Sequence, residues 1–142
     1  MTHPWETLAV GDVVAEHTLS LTRDSLVRYA GASGDFNPIH YRDDVAQSVG
    51  LDGVLAHGML TMGIAIQPVL AWLGGFGFVA RYQVRFTKPV YVPSDCGVDI
   101  TVTISVLKQD DPAPGQVTLG VQVKTAEGAS VLGKALAVVA PR

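Results

Sequence analysis

The run Gly58-Met59-Leu60-Thr61-Met62-Gly63-Ile64-Ala65-Ile66-Gln67-Pro68-Val69-Leu70-Ala71-Trp72-Leu73 is apolar around its whole circumference. It suits one helix beginning near His57 or Gly58. A membrane span needs ~20 consecutive apolar residues, and this run, broken by Gln67, Pro68 and glycines, falls short. A helix with no polar face belongs inside protein. Pro68 has no N–H to give Ile64, so a kink is expected there, or a break just before it.

The sequence beyond this helix alternates with period two, as strands do. From Phe78 to Thr87, Phe78, Ala80, Tyr82, Val84 and Phe86 are expected on one face, with Val79, Arg81, Gln83 and Arg85 on the other. Between Val98 and Val106, Ile100, Val102 and Ile104 alternate with Asp99, Thr101, Thr103 and Ser105. Val117 to Thr125 repeats the pattern, and Ser130 to Ala140, apolar on both faces, suits a central strand. Ala126-Glu127-Gly128-Ala129 is a hairpin-length turn between the last two. Upstream, residues 13 to 21 read as a first strand. Thr22 caps a helix carrying Leu26, Val27, Tyr29 and Ala30, which Gly31 and Gly34 end. A short helix from Arg42 to Val49 is closed by Gly50.

These are five strands, and the half-polar ones imply an antiparallel sheet with one wet face. The dry face needs a cover and the apolar helix needs burial, and wrapping the sheet around the helix satisfies both. The reading is α+β: a single domain over residues 1–142, with a second copy expected to finish hiding the helix. A length of 142 residues, 48% hydrophobic and 16% charged, suits one buried core.

A formal net charge of −3 with no Lys/Arg cluster argues against nucleic acid as a partner. The single cysteine, Cys96, allows no internal disulfide and no cysteine-based metal site within one chain. Met1-Thr2-His3-Pro4-Trp5-Glu6 lacks the basic and apolar blocks of a signal peptide, so a cytoplasmic setting away from membranes is expected. Gln109 to Gly115 reads as an acidic surface turn.

The chemistry lies in Gly34-Asp35-Phe36-Asn37-Pro38-Ile39-His40. Asn-Pro favours a turn and opposes a helix running through it, so a carboxylate and an imidazole can meet in one small space. Seventeen residues beyond His40, Ala56-His57-Gly58-Met59 opens the apolar helix. An acid–imidazole pair beside free N–H groups at a helix start suits thioester chemistry, where charge builds on a carbonyl oxygen. Gly58 permits close approach of that oxygen to the backbone, or simply a tight helix entry. Asn37 can bond the loop backbone or a substrate amide; the loop role is favoured. His57 reads as structural and Tyr41 as packing or rim. Arg81, Arg85 and Lys88 could meet carrier phosphates but read first as solvated strand charges.

The run Tyr29-Ala30-Gly31-Ala32-Ser33-Gly34-Asp35-Phe36-Asn37-Pro38-Ile39-His40, followed by Ala56-His57-Gly58-Met59, resembles the hydratase motif of MaoC-like (R)-specific enoyl-thioester hydratases and (3R)-hydroxyacyl-thioester dehydratases. The likeness extends from Val10-Gly11-Asp12 to the final strand. It looks most like the catalytic subunits of mycobacterial (3R)-hydroxyacyl-carrier-protein dehydratases. The resemblance implies a hot-dog fold, a sheet wrapped around a long central helix. It implies dimers joined sheet to sheet, with Phe78 to Thr87 as the meeting edge. It maps the catalytic acid to Asp35, the imidazole to His40 and the oxyanion-binding backbone N–H to Gly58. The implied substrates are acyl-CoA or acyl carrier protein thioesters, with no metal and no redox cofactor. The implied assembly is a homodimer, or a heterodimer with a related hot-dog subunit. Some members carry a supporting serine later in the helix; Ile64-Ala65-Ile66 offers no hydroxyl.

Two rival functions fit the same fold. Hot-dog thioesterases use an acid on the central helix, and Gly58 to Leu73 contains neither Asp nor Glu. A noncatalytic acyl-thioester-binding subunit of a heterodimer would not need the Asp35–His40 pair. Either Asp35 or His40 could deprotonate the water.

Overall fold

A computed structural model describes residues 3–142; the reading of the extreme N-terminus at Met1 and Thr2 lies outside the described residues. In chain order the elements are β1 (Val13–Leu21), α1 (Arg23–Ser33), a 3-10 turn (Pro38–His40), α2 (Asp43–Ser48), α3 (Gly58–Ala65), α4 (Gln67–Leu73), β2 (Gly77–Phe86), β3 (Val98–Gln109), β4 (Val117–Thr125) and β5 (Leu132–Pro141). The strands form one antiparallel sheet ordered β1-β3-β4-β5-β2. This is the hot-dog arrangement: the sheet's dry face closes on the helical segment. Ile100, Val102, Ile104 and Val106 of β3 share one core with Val117, Leu119 and Val123 of β4 and with Ala65, Val69 and Leu73 of the helices.

The central helix is two helices. Ile66 is the C-cap of α3 and the N-cap of α4, and Pro68 sits in the first turn of α4. The missing N–H costs nothing there, because first-turn donors have no partner inside the helix. The break therefore falls just before Pro68. The Tyr82 hydroxyl, pushed up to about 12 by burial, donates to the carbonyl of Met62 at 2.9 Å and ties β2 to α3.

Within one chain the helix is buried on one side only, as expected of a single sheet layer. Met59 and Leu70 are exposed, while Thr61, Ala65, Pro68, Val69 and Leu73 are buried. One sheet covers one side of a cylinder, and the opposite side stays open.

Strand β2 also departs from its expected alternation. Ala80 is an extra residue between the pairs Val79–Val139 and Arg81–Val138. That bulge flips the phase. Val79 packs on the core ahead of it and Tyr82 and Val84 behind it, while Phe78 is exposed; a second register shift, between Gln83 and Arg85, precedes the exposed Phe86. Strand β5 is internal, flanked by β4 and β2, though β4 holds the middle of the sheet. In α1, Gly31 lies within the helix and Gly34 ends it; Leu26 and Ala30 are buried and Val27 is exposed.

Candidate active site

The loop after α1 is held by its own hydrogen bonds. Gly34 caps the helix at φ +77°, a conformation glycine adopts without strain, and its N–H donates to the Ala30 carbonyl. The next N–H, of Asp35, donates to Ser33 Oγ at 3.1 Å, and that hydroxyl donates to the Tyr29 carbonyl at 2.7 Å. The Asp35 carboxylate turns back on the chain: Oδ1 accepts the Asn37 N–H at 3.2 Å. Asn37 Oδ1 in turn accepts the Ile39 N–H at 3.3 Å and starts the 3-10 turn. Asn37 therefore bonds the loop backbone, the favoured of its two readings.

The Asn-Pro turn ends at His40, whose ring is buried. Its Nδ1 lies 2.7 Å from the Leu55 carbonyl. A carbonyl only accepts, so Nδ1 carries the proton and the neutral ring keeps its lone pair on Nε2. That Nε2 stands 4.0 Å from Asp35 Oδ2. The Leu55 carbonyl is positioned by a bracket of backbone bonds: Leu55 N–H to Ile39, Ala56 N–H to Val90 at 2.8 Å and Val92 N–H to Val54 at 2.9 Å. Asp43 Oδ1 adds the Val54 N–H, and the Arg23 guanidinium beside Asp43 holds its carboxyl below the usual range.

The second signature meets the first through His57. Its ring is 1% exposed, stacks on His40 with centroids 3.8 Å apart, and takes the edge of Tyr29. Nε2 donates to the Asp35 carbonyl at 3.1 Å, and Nδ1 is buried without a partner. Burial holds this imidazole below its usual range, so it is neutral at pH 7. Gly58 follows directly and begins α3, whose first turn receives no side-chain cap. Its orphan N–H groups are free to donate to a ligand oxygen.

Two hollows meet these groups. One, of 260 Å³, is lined by Gly58, Thr61, Phe86, Lys88 and Leu132 among others. The other, of 240 Å³, is lined by Leu26, Val27, Ala30, Phe36, Tyr41 and His40. Tyr41 is thus a rim residue, Lys88 borders the Gly58 hollow, and Arg81 and Arg85 lie exposed on β2. Asp35, His40 and His57 offer ligand atoms within 4.8 Å of one another. Stacked rings cannot both aim in-plane lone pairs at one ion, and His57 Nε2 already serves the Asp35 carbonyl, so the trio fits a metal poorly.

The structure brings Asp35, His40 and Asn37 into one loop and joins Gly58 to it through His57. The sequence reading missed the Leu55 carbonyl, Ser33, and the contact from His57 to the Asp35 backbone. Only the place of His57 beside Gly58 signalled it.

The model of the MaoC like domain matches residues 7–126. Over 80 residues the chain is 39% identical to the 3-hydroxyacyl-thioester dehydratase X of Mycobacterium tuberculosis, a stretch covering 56% of this chain and 28% of that protein. Among solved structures, a MaoC-like dehydratase superposes with a TM-score of 0.88 at 35% identity, covering 99% of this chain and 43% of the other. The R-hydratase PhaJ1 from Pseudomonas aeruginosa superposes with a TM-score of 0.82 at 27% identity, covering 97% and 84%. The chain spans less than half the length of the first two of these proteins.

Proposed function

This chain belongs to the MaoC-like domain family, and from that premise we propose that it hydrates trans-2-enoyl thioesters reversibly, the reverse being dehydration of (3R)-3-hydroxyacyl thioesters. The observation that carries the reading is the 4.0 Å gap between His40 Nε2 and Asp35 Oδ2. Both are acceptors when His40 is neutral and Asp35 ionised. One water placed ~2.8 Å from each can give a hydrogen to both, leaving an oxygen lone pair free for C3. As the C3–O bond forms, the double-bond electrons move toward the thioester oxygen, and the Gly58 N–H stabilises the charge there. A donor of that kind contributes about 3 kcal/mol. The proton taken from water by the pair is returned to C2, so atoms balance and no redox partner enters.

The proposal covers a single domain over residues 1–142 acting on acyl-CoA or acyl carrier protein thioesters in the cytoplasm. The free, exposed Cys96 suits a reducing compartment. It also covers a two-chain assembly, with itself or a related subunit. Edge strand β2 with exposed Phe78 and Phe86, and the open side of α3–α4 with Met59 and Leu70, support it. No helix among the described residues is long and apolar enough to cross a membrane.

The deciding experiment incubates the purified chain with short and long trans-2-enoyl-CoA and determines the hand of the product. The (R)-alcohol is expected. An (S)-alcohol, or release of free thiol in its place, overturns the proposal.

A further inference from the structure

We propose that His57 is a positioning residue for the Asp35–His40 pair, acting through its Nε2–H on the Asp35 carbonyl; this rests on the function proposed above. Asp35 is the exposed member of the pair, with half of its side chain open to solvent. Its own turn fixes one carboxylate oxygen, but nothing in that turn fixes the Asp35 peptide relative to His40, which belongs to the next turn. His57 supplies that link. Its Nε2–H meets the Asp35 carbonyl at 3.1 Å while its ring lies 3.8 Å from that of His40. One buried ring thus sets the carbonyl of one partner and the plane of the other, and the chain passes directly into Gly58.

The charge state matters as much as the shape. The groups facing His57 are the edge of Tyr29, the Asp35 carbonyl and carboxylate, and the His40 ring. Its buried Nδ1 has no acceptor, so a proton there would go unsatisfied and would face His40 through the stack. A neutral ring with its hydrogen on Nε2 is the form this packing accepts. His40 can then become a cation during turnover beside a neutral face rather than a second cation.

The two atoms of the ring separate donor from bulk. A glutamine amide nitrogen overlays the Nε2 position, an asparagine amide nitrogen overlays Nδ1, and phenylalanine keeps ring and volume without a donor. Loss of the donor frees the Asp35 carbonyl from its anchor, an effect on the order of 10- to 100-fold. His57→Asn and His57→Phe are therefore expected to lower kcat by that factor with KM nearly unchanged. His57→Gln is expected to recover most of the loss. A residue that merely fills space predicts the opposite order, with His57→Phe best. Phenylalanine matching wild type, or glutamine and asparagine falling equally, overturns the inference.

A second readout does not depend on turnover. In 15N NMR of the wild-type chain at pH 7.5, His57 is expected as the neutral Nε2–H tautomer. A protonated Nδ1 there sinks the inference even if the enzyme is active. Absent hydration with the expected NMR pattern sinks the proposed reaction and leaves the arrangement of His57 standing.

Discussion

Replacing Asp35 by Asn isolates the proposed chemistry because the structure dictates which way the amide lies. Asp35 Oδ1 accepts the Asn37 N–H at 3.2 Å. An amide whose NH2 faced that N–H would set donor against donor, so Oδ1 must stay and the nitrogen must take the place of Oδ2. That atom is the one 4.0 Å from His40 Nε2. An acceptor becomes a donor at the water site, and the water can no longer give one hydrogen to each partner. General acid–base catalysis of this kind contributes about 10²–10⁴-fold, or about 2.7–5.5 kcal/mol of barrier. The turn is kept and the side chain is half exposed. Stability should therefore change by less than about 0.5 kcal/mol. The assay is steady-state hydration of a trans-2-enoyl-CoA by wild type and Asp35→Asn, with melting temperatures measured on the same samples. The expected result is a kcat loss in that range, KM within about threefold by the same reasoning, and an unchanged melting temperature. A variant keeping more than about a third of wild-type kcat would refute the two-acceptor argument.

Three further outcomes follow from individual contacts. In Gly58→Ala the new Cβ would lie 3.2 Å from two ring atoms of Phe86, a side chain able to yield; the fold should persist while kcat/KM drops roughly 10-fold, because the methyl stands beside the oxyanion donor. Gly77→Ala meets the Ala140 carbonyl at 2.6 Å and the Trp5 ring at 2.7 Å, so denaturant titration should show a loss of about 1–3 kcal/mol, whereas Gly75→Ala, with open space around it, should change little. Burial lowers the His57 pKa from its ordinary 6.5, so unfolding takes up a proton below that pH. The stability tied to His57 is complete above about pH 6.5 and is lost as pH falls through the lowered native value. Urea midpoints from pH 7.5 to 5 should therefore fall more steeply for wild type than for His57→Phe, and equal slopes would contradict the assignment.

Much of this protein could be read residue by residue. Strand β3 shows its inward face as an unbroken alternation from Ile100 to Val106, because the period of a strand is a local property of the backbone. The break at Pro68 follows from one missing N–H, and Asp35 lies close to His40 because Asn37-Pro38 starts a tight 3-10 turn between them. Other features have no such local cause. The bulge at Ala80, which turns Phe78 outward and Val79 inward, arises from the match between β2 and β5, strands distant in sequence. The tautomer of His40 depends on a backbone carbonyl at Leu55, and a carbonyl looks alike whatever residue bears it. The contact from His57 to Asp35 spans twenty-two positions and exists only because the loop after α1 and the entry to α3 pack together. The sequence alone determined which groups could do chemistry, since side-chain identity and turn preference are local. Tertiary packing alone decided how they face one another, because partner carbonyls, ring stacking and strand register come from parts of the chain that meet only after folding.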